Sequence, residues 1–493
     1  MKNILHYSSL FAGLLLAGCS LAPHYVRPEV VTPAAFKEAA ASDKDWRPAQ
    51  PADGNNRGAW WTVFGDAQLN TLEAQALADN QDLKAATARV QQARALRQGA
   101  EAQRFPEVDA GFGPTREKVS PASLGLAPNA QTSATTLWRE QASVSYEVDL
   151  FGRVASTVNA ATADAQASEA LLQSVRLVLQ ADVAQAYFSL RELDSEQTLY
   201  ANTVALRSQT LDLMQKRFAA GFTSELDVAR AQAELQSAQA DALGVSRARA
   251  DTEHGLALLL GEAPASLTLA ANPLQAVPVN IPAGLPSSLL ERRPDIAAAE
   301  RAMAAANARI GVARAAFFPS LSITGALGYE SASLGHLSDW SSRTFLFGPL
   351  AGTMLSLPLF DGGARKAGVA EARAAYEEDV ANYRQTVLRG FREVEDGLAN
   401  VRILGQQMQA QQAAVDAATQ AARLSHKRYQ EGSISYLDVL DADRSVLALQ
   451  HEAVQLNGAR AGAAVDLIRA LGGDWNKPAT VTAALDGAGG KVL

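Results

Sequence analysis

The sequence has only one cysteine, Cys19, so no disulfide can form within the chain. Its six histidines include no pair at metal-binding spacing, and no second cysteine is present to complete a zinc site. It also lacks a glycine-rich phosphate-binding loop and the glycine-serine pattern of a nucleophile elbow. These absences exclude the common metal, nucleotide and hydrolase sites, and we predict a protein that is not an enzyme and uses no cofactor.

Positive charge and aromatic residues are scarce as well. The formal net charge is -8 and aromatic residues make up 6% of the chain. An acidic chain offers no basic footprint for nucleic acid, so no nucleic-acid partner is predicted. The abundance of Ala and Gln favours helices that pack closely through small side chains.

Long apolar runs are missing too. No segment after the N-terminus has the roughly 20 apolar residues of a membrane-spanning helix. If such a chain crosses a membrane, it must do so as a β-barrel, because a barrel also satisfies every backbone hydrogen bond internally.

The N-terminus has the features of a lipoprotein signal peptide. Lys2 precedes the apolar stretch Leu10–Gly18, which is too short to span a bilayer, and Cys19 follows directly. The residues "LAG" before Cys19 resemble the lipobox of bacterial lipoproteins, which implies cleavage before Cys19 and its acylation, with palmitate among the acyl groups. A buried or incidental thiol is the alternative interpretation. Ser20, in place of an aspartate, resembles lipoproteins that continue to the outer membrane.

The chain is internally duplicated. The segment "GFTSELDVARA" at Gly221–Ala231 returns as "GSISYLDVLDA" at Gly432–Ala442, at an offset of 432 − 221 = 211. The same offset carries Arg249 onto Arg460 without a gap. Both halves are therefore predicted to share one structural plan.

Each half contains a pair of segments with alternating polarity. The stretch "WREQASVSYEV" at Trp138–Val148 places apolar and polar residues on opposite faces, as a half-buried strand does. Val108–Phe112 alternates in the same way, and a polar loop from Pro114 to Thr136 is predicted between them. The second half repeats the plan with "SLSITGALGY" and "FLFGPLAGTMLSL", so each half is predicted to form one hairpin with a long loop.

A long helix follows each hairpin. Arg153–Ala220 contains neither glycine nor proline, and its apolar residues recur at steps of three and four. A helix of this length extends on the order of 100 Å. The second long helix starts near Gly363 and is predicted to be looser, because Gly390, Gly397 and Gly405 lie within it. Earlier in the chain, Asp66 is predicted to cap a short helix.

These patterns divide the chain into six parts. They are a signal peptide (1–18), a lipid-anchored extended arm (19–65), a first repeat (66–262), a proline-rich connector (263–293), a second repeat (294–474) and a C-terminal tail (475–493). The hairpins are predicted at about 107–148 and 320–357, and the turns between long helices at 217–227 and 428–438.

The strand number predicts an assembly. Each chain offers four amphipathic strands, whereas about 8 are needed to close the smallest barrel. Three chains would supply twelve strands, and duplication within each chain would give the ring a quasi-six-fold arrangement. The predicted fold class is mainly α with a β-barrel: an internally duplicated chain that forms a trimeric 12-stranded β-barrel continued by a long α-helical barrel.

The same order of elements, with three motifs, resembles a known family. The motifs are "RPDIAAAERAMAAANARIGVARAAFFPSLSITGALGY", "LPLFDGGARKAGVAEARAAYEE" and "RYQEGSISYLDVLDADRSVLALQ". They resemble the outer-membrane efflux proteins, or TolC-like outer-membrane factors, and in particular their lipoprotein multidrug branch. The resemblance covers essentially the whole mature chain.

This resemblance implies a passive exit duct. It implies a homotrimer that spans the outer membrane, contacts its lipid and extends into the periplasm. The implied partners are a periplasmic adaptor, or membrane fusion protein, and an inner-membrane pump of the resistance-nodulation-division type. Drugs, solvents, siderophores and metal ions all stay open as cargo, although few and unclustered methionines disfavour a dedicated copper or silver duct.

In this interpretation the two glycine turns are the periplasmic tips of the duct. We expect the adaptor to contact residues in both turns, although simple tight turns are the alternative explanation for at least part of them. The residues concerned are Gly221, Thr223, Ser224, Gly432, Ser433 and Ser435.

Asp438 and Asp441 are the predicted gate residues. They lie one helical turn apart on the same face, and a trimer would bring up to six carboxylates to one constriction. Family members close this end with acidic residues at matching positions. Helix capping and plain surface charge are the alternatives, and the counterpart of Asp441 in the first copy is Arg230. The arginine that often follows the second glycine in classical members is Ile434 here, so the resemblance does not extend to a lock built on that cation.

Two alternative functions belong to other classes. A structural or adhesive lipoprotein could use the long helices as a coiled-coil stalk, but a stalk has no use for hairpins with one lipid-compatible face. A general diffusion porin would have strands but lack long periplasmic helices.

Overall fold

The computed structural model describes residues 21–33, 35–38, 58–275, 292–346 and 354–473. Cys19, the predicted signal peptide, most of the connector and the C-terminal tail lie outside these residues. The described chain forms two compact units. The sheet unit contains the described residues up to Glu29, with Arg89–Glu169 and Ala298–Arg384; the turn unit contains Val30–Ala88, Ala170–Ala297 and the chain from Gln385 onward.

Seven α-helices and five strands form the framework of the described residues. The helices are α1 (Ala67–Asp79), α2 (Gln81–Ala102), α3 (Arg153–Ala219), α4 (Glu225–Leu259), α5 (Pro294–Ala315), α6 (Ala364–Gln430) and α7 (Tyr436–Ala470). The strands are β1 (Glu107–Glu117), β2 (Thr135–Val148), β3 (Ser320–Ser331), β4 (Arg343–Leu346) and β5 (Met354–Ser356). None of the described helices combines the length and apolarity needed to cross a bilayer.

The helices repeat at the offset found in the sequence. α3 and α6 each have 67 residues, and α4 and α7 each have 35. Their first residues are separated by 364 − 153 = 211 and 436 − 225 = 211 positions. The gap-free duplication of the long helices is therefore confirmed.

The glycines of α6 do not loosen this helix, contrary to the prediction. α6 continues without a break past Gly390, Gly397 and Gly405. A Cβ at Gly390 would lie 3.4 Å from the Arg293 side chain, and one at Gly397 would lie 3.2 Å from Leu467. These two glycines therefore serve packing, because they let a neighbouring side chain approach the helix backbone.

The sheet joins the two copies edge to edge. Its order is β1-β2-β3-β4, all antiparallel, and β5 also pairs with β3. β2 and β3 pair from Trp138 opposite Ser331 to Val148 opposite Leu321. Where the sequence predicts the second strand of the second hairpin, the described residues contain two shorter strands, β4 and β5.

The predicted loop of the first hairpin was too long. β1 continues past Pro114 to Glu117, and β2 already begins at Thr135. Pro114 is tolerated because β1 is the edge strand of the described sheet, where a missing backbone donor need not break the ladder.

Capping side chains determine where the first two helices begin and end. Asp66 caps α1 as predicted, since its carboxylate accepts the backbone N–H groups of Gln68 and Leu69 at 2.8 and 3.0 Å. Asn80 ends α1 and caps α2 by accepting the N–H of Leu83 at 2.9 Å. The Asn80 amide also donates to the carbonyl of Leu259 at 2.9 Å, which ties this break to the end of α4.

Part of the predicted extended arm is a helical turn. Trp60–Phe64 forms one 3₁₀ turn, and Trp60 and Trp61 are buried in the core of the turn unit. The Trp60 indole N–H donates to the Gln180 side chain at 3.1 Å, so its polar atom is satisfied inside the core. The rest of this core comes from α1, α3, α4 and α7.

Candidate functional site

The first glycine turn connects α3 to α4. Gly221 has a φ of 75°, in the left-handed region that glycine adopts readily. The N–H of Phe222 donates to the carbonyl of Arg217 at 2.8 Å, which closes the end of α3. Ser224 then caps α4 through the N–H of Asp227.

The second turn repeats this geometry between α6 and α7. Gly432 has a φ of 73°, and the N–H of Ser433 donates to the carbonyl of Arg428 at 2.8 Å. Ser435 caps α7 in a full capping box with Asp438. Of the six predicted adaptor-contact residues, five are exposed and Thr223 is half-buried.

The capping aspartates are held by neighbouring hydroxyl groups. Ser435 donates its N–H and its hydroxyl to the Asp438 carboxylate at 2.9 and 2.7 Å. In the first turn, Ser224 and Thr223 donate to Asp227 at 2.8 and 3.0 Å. Both aspartates therefore have a local structural role in starting a helix.

These contacts keep the two capping aspartates charged. Hydrogen bonds from Ser435, with the charge of Arg428 nearby, lower the pKa of Asp438. Partial burial acts to raise the pKa of Asp227, but hydrogen bonds from Ser224 and Thr223 outweigh it and the net pKa is lowered. Both carboxylates are therefore ionised at neutral pH.

Asp441 is placed differently from Asp438. Its side chain is 63% exposed, and its carboxylate contacts the guanidinium of Arg444 on the same helix at 3.4 Å. Arg444 also donates from its Nε to Glu234 of α4 at 2.9 Å. Each glycine turn and the two long helices that it joins form a helical hairpin, α3–α4 or α6–α7. Asp441 thus carries an accessible charge on the α6–α7 hairpin and is linked through Arg444 to the α3–α4 hairpin.

An apolar cluster joins the two helical hairpins near the glycine turns. It includes Leu211 and Met214 of α3 with Tyr436 and Leu440 of α7. Ile434, where classical family members often have an arginine, packs against this cluster. An apolar contact therefore occupies the position of that cation in this chain.

A charged network, which the sequence analysis missed, also connects the hairpins. Arg207 of α3, only 4% exposed, lies 3.7 Å from Glu234 of α4 and 3.4 Å from Asp443 of α7. His426 of α6 contacts the same Asp443 at 2.8 Å, and Arg444 contacts Glu234. We call these five residues the hairpin network; separating the hairpins would leave the nearly buried Arg207 without part of its countercharge.

Comparison of the two copies indicates the members of this network, while the contacts between them come from the structure. Every member has an uncharged residue at its duplicated position. The pairs are Arg207 with Ala418, Glu234 with Ser445, His426 with Gln215, Asp443 with Gln232 and Arg444 with Ala233. A change of charge between the two copies is the same signal that singled out Asp441, whose counterpart is Arg230.

The turn glycines give a direct test of this local geometry. We expect Gly432→Ala to destabilise the second hairpin by about 1 kcal/mol, because an L-residue is strained in the left-handed region. No heavy atom of the residues that the structure describes lies within 4 Å of the added Cβ, so the expected cost comes from the backbone. Hydrogen exchange at the turn amides would measure it.

Gly405→Ala is the matched control for that change. Gly405 lies within α6 and also has no atom within 4 Å of an added Cβ. There alanine should stabilise the helix by roughly 0.5–1 kcal/mol. Equal effects of the two changes on exchange would contradict a special role for Gly432.

Within the described ranges, no group of three or more metal-ligating side chains is close enough to hold a metal ion. The turn region instead combines backbone caps, a small apolar cluster and a charged network. These contacts connect the α3–α4 helix pair with the α6–α7 helix pair.

Comparison with protein families agrees with this geometry. The model of the outer membrane efflux protein family matches residues 72–262 and 285–473. These two matched ranges contain the two glycine turns, one in each.

Two curated relatives cover nearly the whole chain. The toluene efflux pump outer membrane protein TtgF of Pseudomonas putida is 35% identical over 479 residues, which are 96% of this chain and 97% of TtgF. The cation efflux system protein CusC of Escherichia coli is 34% identical over 463 residues, which are 93% of this chain and 97% of CusC.

Solved structures share the fold. The outer-membrane channel OprN matches with a TM-score of 0.83 at 29% identity, covering 93% of this chain and all of that one (100%). The open state of the MtrE outer membrane channel of Neisseria gonorrhoeae matches with a TM-score of 0.79 at 30% identity, covering 92% of this chain and 98% of MtrE.

Proposed function

This chain belongs to the outer membrane efflux protein family, and on that premise we propose that its two glycine turns are the periplasmic opening of an exit duct. The protein is an outer-membrane efflux channel of a tripartite system, and its family consists of channels rather than enzymes. Its relatives give no support to an adhesive stalk.

The hairpin network is the observation that carries this proposal. This network joins the α3–α4 and α6–α7 hairpins through residues that lie 6 to 14 positions along the chain from Gly221 or Gly432. Charge contacts between paired helices suit an opening step, since Arg444 and His426, with side chains 55% and 43% exposed, can exchange their partners for water at modest cost. The nearly buried Arg207 instead favours the closed arrangement, because separation would remove part of its countercharge.

Three chains would form the duct. We propose that the sheets of three copies close into the 12-stranded barrel and that the long helices continue it into the periplasm. An acylated Cys19 would anchor each chain in the outer membrane. The adaptor would contact the six turn residues, and an inner-membrane pump of the resistance-nodulation-division type would deliver the cargo.

The duct itself would not choose the cargo. The names of the relatives include a toluene efflux pump and a cation efflux system, and the two proteins resemble this chain to a similar degree. Similarity to either relative therefore does not indicate one cargo. We therefore propose that small molecules in general pass through, and that the pump selects among them.

Neutralising Asp441 should open the duct. In a trimer, Asp441→Asn removes three carboxylates from the constriction and one partner of Arg444, which weakens the contact chain to Glu234. We expect roughly a few-fold higher single-channel conductance in planar bilayers, with a further increase when Asp438→Asn is added.

Asp227→Asn is the control at the duplicated position of Asp438. It removes a capping carboxylate from the first turn, where Arg230 stands in place of a second acid. Conductance should stay near the wild-type value in this variant. An equal increase in the control, or none in Asp441→Asn, would refute the assignment of the gate.

The assembly is tested by native mass of the mature protein purified from outer membranes. The expected particle has three chains, each beginning at an acylated Cys19. A stable monomer would contradict the closed duct, and unmodified N-termini on a trimer would contradict only the lipid anchor.

A further inference from the structure

A cleft in the sheet unit has an apolar floor. Its volume is about 510 Å³, and Leu21, Phe317, Phe318 and Val369 contribute to its lining. Phe317 is 46% exposed and Phe318 is 39% exposed, and the Phe318 ring stacks on Phe151 at 4.8 Å.

Among the described residues, three cations and no carboxylate line the same cleft. Arg314 lies at the C-terminal end of α5 and donates to the carbonyl of Leu21 at 3.4 Å. Lys366 and Arg373 are exposed, and neither forms an ion pair with any residue that the structure describes. They are seven residues apart on α6, so both point to the same face of the helix.

The cleft lies where the sheet meets the helices. α5 ends at Ala315 and β3 begins at Ser320, while β5 ends at Ser356 and α6 begins at Ala364. Leu359 and Phe360, just before α6, are 88% and 90% exposed. In an outer-membrane channel this junction is at the edge of the bilayer, where aromatic and basic side chains meet lipid head groups.

We propose that this cleft binds an anionic phospholipid. Lys366, Arg373 and Arg314 would hold the phosphate, and an acyl chain would cover Phe317 and Phe318. The proposal rests on the outer-membrane location given under Proposed function. The lipid on Cys19 is the competing occupant, because Leu21 lines the cleft two residues away, but a thioether-linked diacylglycerol has no phosphate for the three cations.

Native mass spectrometry of the trimer, titrated with phosphatidylglycerol or phosphatidylethanolamine, tests this site. In Lys366→Ala with Arg373→Ala, phosphatidylglycerol binding should fall on the order of tenfold, since each basic residue near an anionic head group contributes to affinity. Phosphatidylethanolamine binding should change little. Arg384→Ala with Arg389→Ala is the control, because it removes two exposed cations from the same helix outside the cleft.

Three results would overturn the site. These are an equal loss in the control, no preference for phosphatidylglycerol in wild-type trimers, and a several-fold rise in phosphatidylglycerol binding when Cys19→Ala is exported by a signal peptide that is not lipidated. The last result would assign the cleft to the protein's own lipid. Failure to recover trimers from the outer membrane would instead contradict the proposed function.

Discussion

Replacing Asp194 with alanine is expected to lower the free energy of unfolding by about 3–5 kcal/mol, because it leaves the buried Arg191 without its carboxylate partner and removes one of the two partners of Arg249. The Asp194 side chain is 0% exposed and contacts Arg191 at 2.8 Å and Arg249 at 2.7 Å. Arg191 is itself 2% exposed on its side chain. Thermal or denaturant unfolding of the purified trimer would measure the loss.

The same carboxylate holds the start of the connector. Asp194 accepts the backbone N–H of Asn272 at 2.8 Å, while Arg191 and Arg249 donate to the carbonyls of Ala270 and Leu269 at 2.8 and 2.7 Å. Loss of Asp194 should therefore release this segment, and limited proteolysis should cut the variant near residues 269–274 first.

Asp212→Ala is the matched control on the same helix. Asp212 is 61% exposed, and within the described part of the chain it pairs only with Lys216, one helical turn away. Its loss should change stability by no more than about 0.5 kcal/mol. If the two variants lose the same free energy of unfolding, the buried contacts of Asp194 contribute no more to stability than an exposed ion pair does.

Replacing Glu73 with methionine is expected to stabilise the protein, and increasingly so as the pH rises. Glu73 lies on α1 and is 0% exposed, and neither of its carboxylate oxygens has a hydrogen-bond partner among the described residues. Burial raises the pKa of Glu73 from 4.5 to about 9. At pH 8 the gain should be on the order of a few kcal/mol, since each pKa unit corresponds to 1.36 kcal/mol.

The direction of this pH dependence follows from proton binding at Glu73. Between pH 4.5 and about 9 the folded protein keeps the Glu73 proton, whereas the unfolded chain has lost it. The stability of the wild type should therefore fall as pH rises through this range. Glu73→Met has no such proton, so its advantage should be smallest near pH 5 and largest near pH 9.

Two further variants separate charge from hydrogen bonding. Glu73→Gln removes the proton-linked change but keeps an unsatisfied polar group, so it should show a flat pH profile with a smaller gain than methionine. Glu452→Met, at an exposed position of α7, should leave the pH profile unchanged. A wild-type melting temperature that does not decline from pH 5 to pH 9 would contradict the buried, protonated carboxyl.

Much of the fold could be predicted because its signals are local. Ser224 and Ser435 cap helices, Gly221 and Gly432 adopt left-handed backbone, and the 211-residue offset repeats these signals. Each depends on residues within one or two helical turns, so the sequence shows them directly. The adaptor contacts, the gate and the acylation of Cys19 stay predictions.

The tertiary structure decided which charges meet. Arg207 and Asp443 are 443 − 207 = 236 positions apart, and periodicity shows which face of a helix is apolar but not which helix it will face. The burial of Glu73 and the hydrogen bond between Asp194 and the connector depend likewise on the packing of distant segments. The sequence by itself therefore determined the helices, turns and repeat, while packing between hairpins decided the contacts that we expect to break when the duct opens.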